Sequence, residues 1–94
     1  MRNEFFEWDD AKAEYNRREH RVTFEDACLV FSDPFAFTED DDDPDEDRDD
    51  TIGAGANGLL FVVSTLRGSR IRIISARRAS KREQDLYPWA ASAR

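Results

Sequence analysis

The hydrophobic pattern of the first third of the chain predicts one short strand followed by two helices. The aromatic stretch at residues 4–8 suits a strand, and Asp9 can cap a helix that runs to about residue 20. The apolar face of that helix is thin, since it consists mostly of Ala11 and Tyr15, so we expect tertiary contacts to hold it. A second helix is predicted after Thr23, because apolar residues then follow at the spacing of one buried face: Phe24, Ala27, Cys28 and Phe31.

The remaining apolar runs predict strands and a final helix. Short strands are expected at 35–38 and 51–55. The runs at 59–66 and 69–75 are separated by Arg-Gly and predict a β-hairpin, in which apolar and arginine residues alternate on the second strand. Ser80 can cap a last helix that ends before residue 88, with a glutamate placed three residues later to complete a capping box.

This order of elements predicts a single α+β domain over residues 1–94. Consecutive strands joined by short turns favour a mostly antiparallel sheet, which we expect to have about four strands. Two helices precede most of the sheet, and one helix follows it.

The formal charge of −7 is concentrated in one segment. Residues 39–50 contain ten acids and one base, so this segment carries −9 and the rest of the chain carries +2. Because so many like charges repel one another, we expect an exposed acidic loop at about 39–50.

The cysteine and histidine content argues against disulfides and metal sites. Cys28 is the only cysteine and His20 the only histidine, whereas a structural metal site usually takes three or more such ligands. The longest apolar run, at 59–63, is far shorter than the ~20 residues of a membrane span. We therefore expect a cytoplasmic protein without a metal, a cofactor or a membrane segment.

A cluster of basic residues in the last third of the chain is the clearest chemical feature. Seven bases and no acid lie between residues 67 and 82: Arg67, Arg70, Arg72, Arg77, Arg78, Lys81 and Arg82. Guanidinium groups bind phosphate oxygens well, so the cluster favours contact with nucleic acid. A solvated strand face that carries no ligand is the alternative.

Four further residues are candidates for chemistry, and three of them have a simpler structural explanation. His20 could act as a general base, or it could cap the carbonyls at a helix end. Trp8 and Trp89 could stack on bases, although Trp8 suits the core. Glu83 could act as a base or pair with an anion-binding group, yet its capping position explains it equally well.

The motifs of this chain together resemble the BrnT family of type II toxins, small ribonucleases of RelE-like fold. The residues that carry the resemblance are FEWDDAK at 6–12, HRVTFEDA at 20–27 and RIISARRA at 72–79, followed by Glu83 and Tyr87. Two departures stand out. Arg21 replaces a usual glycine, which argues against a left-handed turn there. Asp49 and Asp50 replace the start of an apolar strand, so we expect that strand to be short or frayed and Arg48 to be displaced.

The resemblance implies a metal-independent endoribonuclease that cuts RNA and inhibits translation. It also implies a BrnA-like antitoxin with a ribbon-helix-helix domain, which neutralises the toxin, joins it into a dimer and makes the contact with operator DNA. The catalytic candidates are Arg72, Arg77, His20, Glu83 and Lys12. The RNA-binding candidates are Arg70, Arg78, Lys81, Arg82, Trp8, Tyr87 and Arg48. The alternative is an inactive relative that binds nucleic acid or antitoxin without catalysis.

Overall fold

The computed structural model describes residues 1–41 and 47–88, which form three layers around one five-stranded sheet. The elements are β1 (Phe6–Glu7), α1 (Asp10–His20), α2 (Phe24–Leu29), a 3-10 turn (Val30–Ser32), β2 (Phe37–Asp41), β3 (Arg48–Gly55), β4 (Gly58–Arg67), β5 (Arg70–Arg78) and α3 (Lys81–Leu86). The strand order is β1-β5-β4-β3-β2, and every neighbouring pair is antiparallel except β1 and β5. The predicted α+β class is confirmed, with five strands because the opening strand joins the edge of β5. Within the described part of the chain, no helix is long and apolar enough to cross a membrane.

All three predicted helix caps are confirmed. The side-chain oxygens of Asp9, Thr23 and Ser80 accept hydrogen bonds of 3.0, 3.0 and 3.2 Å from the backbone N–H three residues later. Each cap satisfies a donor that the first turn of its helix leaves without an intrahelical partner.

The main core lies between the sheet and helices α1 and α2. The predicted buried face of α2 is confirmed, since Phe24 and Ala27 are almost fully buried and Cys28 and Phe31 pack partly buried beside them. The sheet contributes its own buried residues to this core, namely Leu60, Val62, Ile73 and Ala76.

Tertiary contacts hold α1 as predicted, but the predicted apolar face is wrong, because Ala11 and Tyr15 are exposed and Asn16 is the residue that the helix buries. The Asn16 amide donates to the carbonyl oxygens of Val22 (3.0 Å) and Ala76 (2.7 Å) and accepts from the Ala76 N–H (3.0 Å). An amide side chain carries both a donor and an acceptor, so Asn16 pairs with the edge of β5 as a neighbouring strand would. This polar anchor replaces an apolar face.

The acidic segment is largely strand at both ends, so the predicted loop over 39–50 is wrong in its bounds. β2 continues to Asp41 and β3 begins at Arg48, while residues 42–46 lie outside the described part of the chain. The expectation of a short or frayed strand is wrong too, since Asp49 and Asp50 are half-buried within an eight-residue strand. Every residue of β3 has a partner on β4, and this backbone ladder outweighs the charge repulsion.

Arg21 adopts a left-handed conformation, although a residue with a side chain was expected to avoid it. Its φ and ψ are 56° and 32°, and its N–H donates to the Arg17 carbonyl oxygen at 2.9 Å. A left-handed residue is the usual way to end a helix sharply, and here it lets Thr23 begin α2 two residues later. The helix end therefore keeps the turn without the glycine.

A β-bulge in the β4–β5 hairpin decides which arginines share a sheet face. Val63 pairs with Ser75 and Ser64 pairs with Ile73, so Ile74 has no partner on β4. The extra residue reverses the alternation of side chains along β5. As a result Arg72 and Arg77, five positions apart, both project away from α1 and α2.

Candidate functional site

The sheet face opposite α1 and α2, which we call the α3 face, carries most of the candidate residues. Directly paired residues of a sheet project to the same side, so the register defines two rows on this face. One row joins Phe37, Ile52, Phe61 and Arg77, and the other joins Asp41, Arg48, Thr65 and Arg72. Helix α3 covers one end of the face, where Tyr87 packs with Ile52 and Ala79.

Arg77 is held on three sides. Its Nη1 and Nη2 donate to the two carboxylate oxygens of Glu83 at 2.7 and 2.8 Å, and Nη1 also donates to the Arg78 carbonyl oxygen at 3.2 Å. The Cζ atom lies 4.2 Å from the centroid of the Phe61 ring. Among the described residues, nothing accepts from Nε–H or from the second Nη2–H, so one edge of the guanidinium keeps two parallel donors.

Glu83 is fixed by two sets of contacts. Besides its ion pair with Arg77, its Oε1 accepts from the Ser80 N–H at 2.8 Å and completes the capping box of α3. The hydrogen bond from Arg77 lowers the pKa of Glu83 to about 2. Glu83 is therefore a charged carboxylate at neutral pH that orients Arg77.

The other arginines of β5 are also tied to neighbouring groups. Arg72 Nη1 donates to Glu7 Oε2 at 2.7 Å, which links β5 to β1. Arg70 Nε donates to the Asn3 carbonyl oxygen at 2.7 Å, and Arg78 Nη1 donates to that of Asn57 at 3.0 Å. Four of the seven bases in the cluster are thus positioned guanidinium groups, namely Arg70, Arg72, Arg77 and Arg78.

A cavity of about 340 Å³ on the α3 face is lined by Phe61 and Glu83, the two side chains that hold Arg77. Its walls include the apolar side chains of Phe37, Ile52, Phe61 and Leu86, and its polar groups are Glu39, Asp50, Ser80, Arg82 and Glu83. Asp50 stands out, because its Oδ1 is buried and has no hydrogen-bond partner among the described residues. Burial and the nearby Asp41 carboxyl raise the pKa of Asp50 to about 6.

Three candidates lie away from Arg77. His20 and Lys12 are exposed on α1, in the layer on the other side of the sheet. Trp8 is buried in the main core, where its ring meets that of Phe24 edge-on at a centroid distance of 5.7 Å. Trp89 lies outside the described residues.

The remaining candidate residues are Tyr87 and the basic residues of α3 and β3. Tyr87 is only 7% exposed, and its hydroxyl donates to Asp33 Oδ2 at 2.6 Å. Burial and that carboxylate raise the pKa of Tyr87 to about 12. Arg48 is half-buried in the same row as Arg72, whereas Lys81 and Arg82 are exposed on the first turn of α3. The structure therefore brings together Arg77, Glu83 and Arg82, with Arg72 and Arg48 farther along the same face.

Sequence reasoning missed Phe61 and Asp50. Phe61 lies within the apolar run 59–63, where nothing distinguishes a residue beneath an arginine from a core residue. Asp50 was assigned to an exposed loop, and its burial follows only from strand pairing with Glu39 and Val63.

Comparison with known families identifies the chain. A family model described as "Ribonuclease toxin, BrnT, of type II toxin-antitoxin system" matches residues 8–83. The chain belongs to the BrnT family. As a BrnT toxin it is a ribonuclease toxin of a type II toxin–antitoxin system, which implies an RNA substrate and a cognate antitoxin. The resemblance drawn from the sequence motifs is confirmed. A search of curated proteins found no similar sequence.

Proposed function

We propose that this BrnT toxin cuts RNA without a metal ion and thereby inhibits translation, with Arg77 holding the scissile phosphate. The observation that supports this assignment is the geometry of Arg77, whose guanidinium is fixed by Glu83 and Phe61 and keeps one N–H edge available. Two parallel donors at that edge match two oxygens of a phosphate group.

Cleavage of RNA by its own 2′-hydroxyl requires three things. The hydroxyl must lose its proton, the pentacovalent phosphate must have its added negative charge stabilised, and the departing 5′-oxygen must gain a proton. Arg77 meets the second need, because a guanidinium remains charged throughout and donates to the oxygens where the charge develops. Loss of one such contact costs roughly 2–4 kcal/mol in the transition state.

Arg72 and Arg82 take supporting roles in this proposal. Arg72 lies on the same face as Arg77, but its guanidinium is already paired with Glu7. We therefore assign Arg72 to a neighbouring phosphate and Arg77 to the scissile one. Arg82 lines the cavity on the α3 face and is exposed, so it suits binding of the RNA strand. Together the three arginines give the RNA backbone a path across the α3 face.

The acid–base groups contribute less than charge and position in this proposal. Glu83 is held charged by Arg77, and the Tyr87 hydroxyl is engaged by Asp33. His20 and Lys12 lie in the layer beyond the sheet. We therefore assign most of the rate enhancement to orientation of the RNA and to stabilisation of the phosphate charge.

The proposed partner is a BrnA-like ribbon-helix-helix antitoxin that acts in the cytoplasm, joins two toxin chains and contacts operator DNA itself. Its support is the family membership alone. Co-expression with the antitoxin gene should give a complex that contains two toxins and binds operator DNA, while the toxin purified alone should not bind that DNA. A one-to-one complex, or DNA binding by the toxin alone, would contradict this arrangement.

A cleavage assay in EDTA tests the proposed activity. The purified toxin should fragment RNA in EDTA, and a folded variant with both Arg72 and Arg77 replaced by Ala should bind RNA weakly and leave it intact. RNA binding by the wild type without cleavage, with or without added divalent metal, would identify the protein as a non-catalytic binding module. Cleavage that requires added metal would contradict the metal-free mechanism.

A further inference from the structure

We infer that Phe61 is a positioning residue for Arg77. The Phe61 ring sets the plane of the Arg77 guanidinium and so aims its available edge at the RNA phosphate. The inference rests on the proposed role of Arg77. Its evidence is the stacking distance of 4.2 Å between the Arg77 Cζ and the centroid of the Phe61 ring. The two residues are directly paired across β4 and β5, so the backbone register itself sets the contact.

Glu83 and Phe61 constrain different motions of Arg77. The two-point ion pair with Glu83 sets the direction in which the end of the guanidinium points, but the whole group can still tilt about that direction. A ring beneath the guanidinium removes the tilt, because the cation is attracted to the face of the aromatic ring. Both constraints are needed for the Nε–H and the second Nη2–H to lie in one fixed plane.

The location of Phe61 makes this role distinct from packing in the main core. Phe61 is half-buried on the α3 face and lines the cavity there, whereas the main core lies on the other side of the sheet. A Leu side chain would keep an apolar group next to Ile52. It would offer no π face, so the difference between Phe and Leu at this position isolates the effect on Arg77.

The test compares Phe61→Leu with Phe61→Tyr in single-turnover and steady-state cleavage of RNA. Phe61→Leu should lower kcat by about three- to thirtyfold, the range expected for loss of a cation–π contact, and leave KM within about twofold of wild type. Phe61→Tyr keeps the aromatic face and should restore kcat. Phe31→Leu, the same truncation in the main core, should keep the wild-type kcat.

A double-mutant cycle distinguishes positioning from a structural effect. In an Arg77→Ala background Phe61→Leu should cause no further loss of kcat, because the group that it positions is gone. An equal loss in both backgrounds, or a wild-type kcat for Phe61→Leu, would overturn the inference. If Arg77→Ala itself cleaves RNA normally, the proposed function of Arg77 fails instead, so the two failures are distinguishable.

An NMR measurement keeps the inference testable if Phe61→Leu folds poorly. Because the Arg77 Cζ lies 4.2 Å over the centroid of the Phe61 ring, the Nε–H one bond away should experience the ring current and resonate upfield of an ordinary arginine. The conservative variant Phe61→Ile should move this resonance to the ordinary position and leave most backbone amide resonances in place. An Arg77 Nε–H resonance that is unchanged in Phe61→Ile would overturn the inference without any activity measurement.

Discussion

Asp50→Asn should stabilise the folded protein at neutral pH. The Asp50 carboxyl is half-buried in β3, and burial with the nearby Asp41 carboxyl raises its pKa from 3.8 to about 6. The folded state therefore binds the Asp50 proton more tightly than the unfolded state does, and its stability falls as pH rises from about 4 to 6. A shift of that size corresponds to at most ~3 kcal/mol at neutral pH, and partial solvent exposure and proton sharing with Asp41 reduce the expected gain to ~1–2 kcal/mol.

Urea denaturation of wild type and Asp50→Asn at pH 7.5 and pH 4.0 measures this gain. The variant should be more stable than the wild type at pH 7.5, and the difference should largely disappear at pH 4.0, where Asp50 is protonated in the folded wild type. Asp10→Asn is the control, because Asp10 is exposed and pairs with the N-terminal amine at 3.0 Å, so it should give no gain. A variant that is less stable at pH 7.5, or a gain that persists at pH 4.0, would show that ionisation of Asp50 does not destabilise the folded state.

Two further predictions concern α1 and use the same denaturation assay. Asn16→Ala should lower the free energy of unfolding by ~3 kcal/mol, since it leaves the buried Ala76 N–H and C=O without their partner. A loss below about 1 kcal/mol would mean that Asn16 is not the anchor of α1. Arg21→Gly should raise the free energy of unfolding by up to ~1 kcal/mol, because Gly adopts a φ of 56° without strain. A destabilised Arg21→Gly variant would show that the Arg21 side chain makes a stabilising contact.

The features that sequence reasoning predicted correctly depend on local signals. The caps at Asp9, Thr23 and Ser80 act within one helical turn, and the spacing along α2 repeats within eight residues. The hairpin of β4 and β5 combines apolar alternation with Gly68, whose φ of 59° suits the turn. Such signals need no knowledge of the rest of the molecule.

The candidate site depends on a feature that has no local signal. A strict alternation along β5 would place Arg72 and Arg77 on opposite faces, because they are five residues apart. The bulge at Ile74 places them on one face, yet neither glycine nor proline marks it in the sequence. The grouping of the arginines therefore emerges only from the fold.

In the acidic segment a local signal is present, but it predicts the wrong structure. Charge density between residues 39 and 50 suggested a loop, since like charges directly across a sheet are destabilising. Glu39 nevertheless faces Asp50, and Asp40 faces Asp49, in regular strand pairing. The pairing of β3 with β4 fixes the strand, and burial together with the neighbouring carboxyl groups raises the pKa values of Asp49 and Asp50.

The single-turnover rate of RNA cleavage by Arg77→Ala tests most directly whether Arg77 acts on the scissile phosphate. We predict a folded variant whose cleavage rate is lower by roughly 10²–10³, as for loss of an oxyanion contact. Arg17→Ala, which removes an exposed arginine paired with Glu14 on α1, should cleave at the wild-type rate. A folded Arg77→Ala variant that cleaves RNA as fast as the wild type would contradict the account.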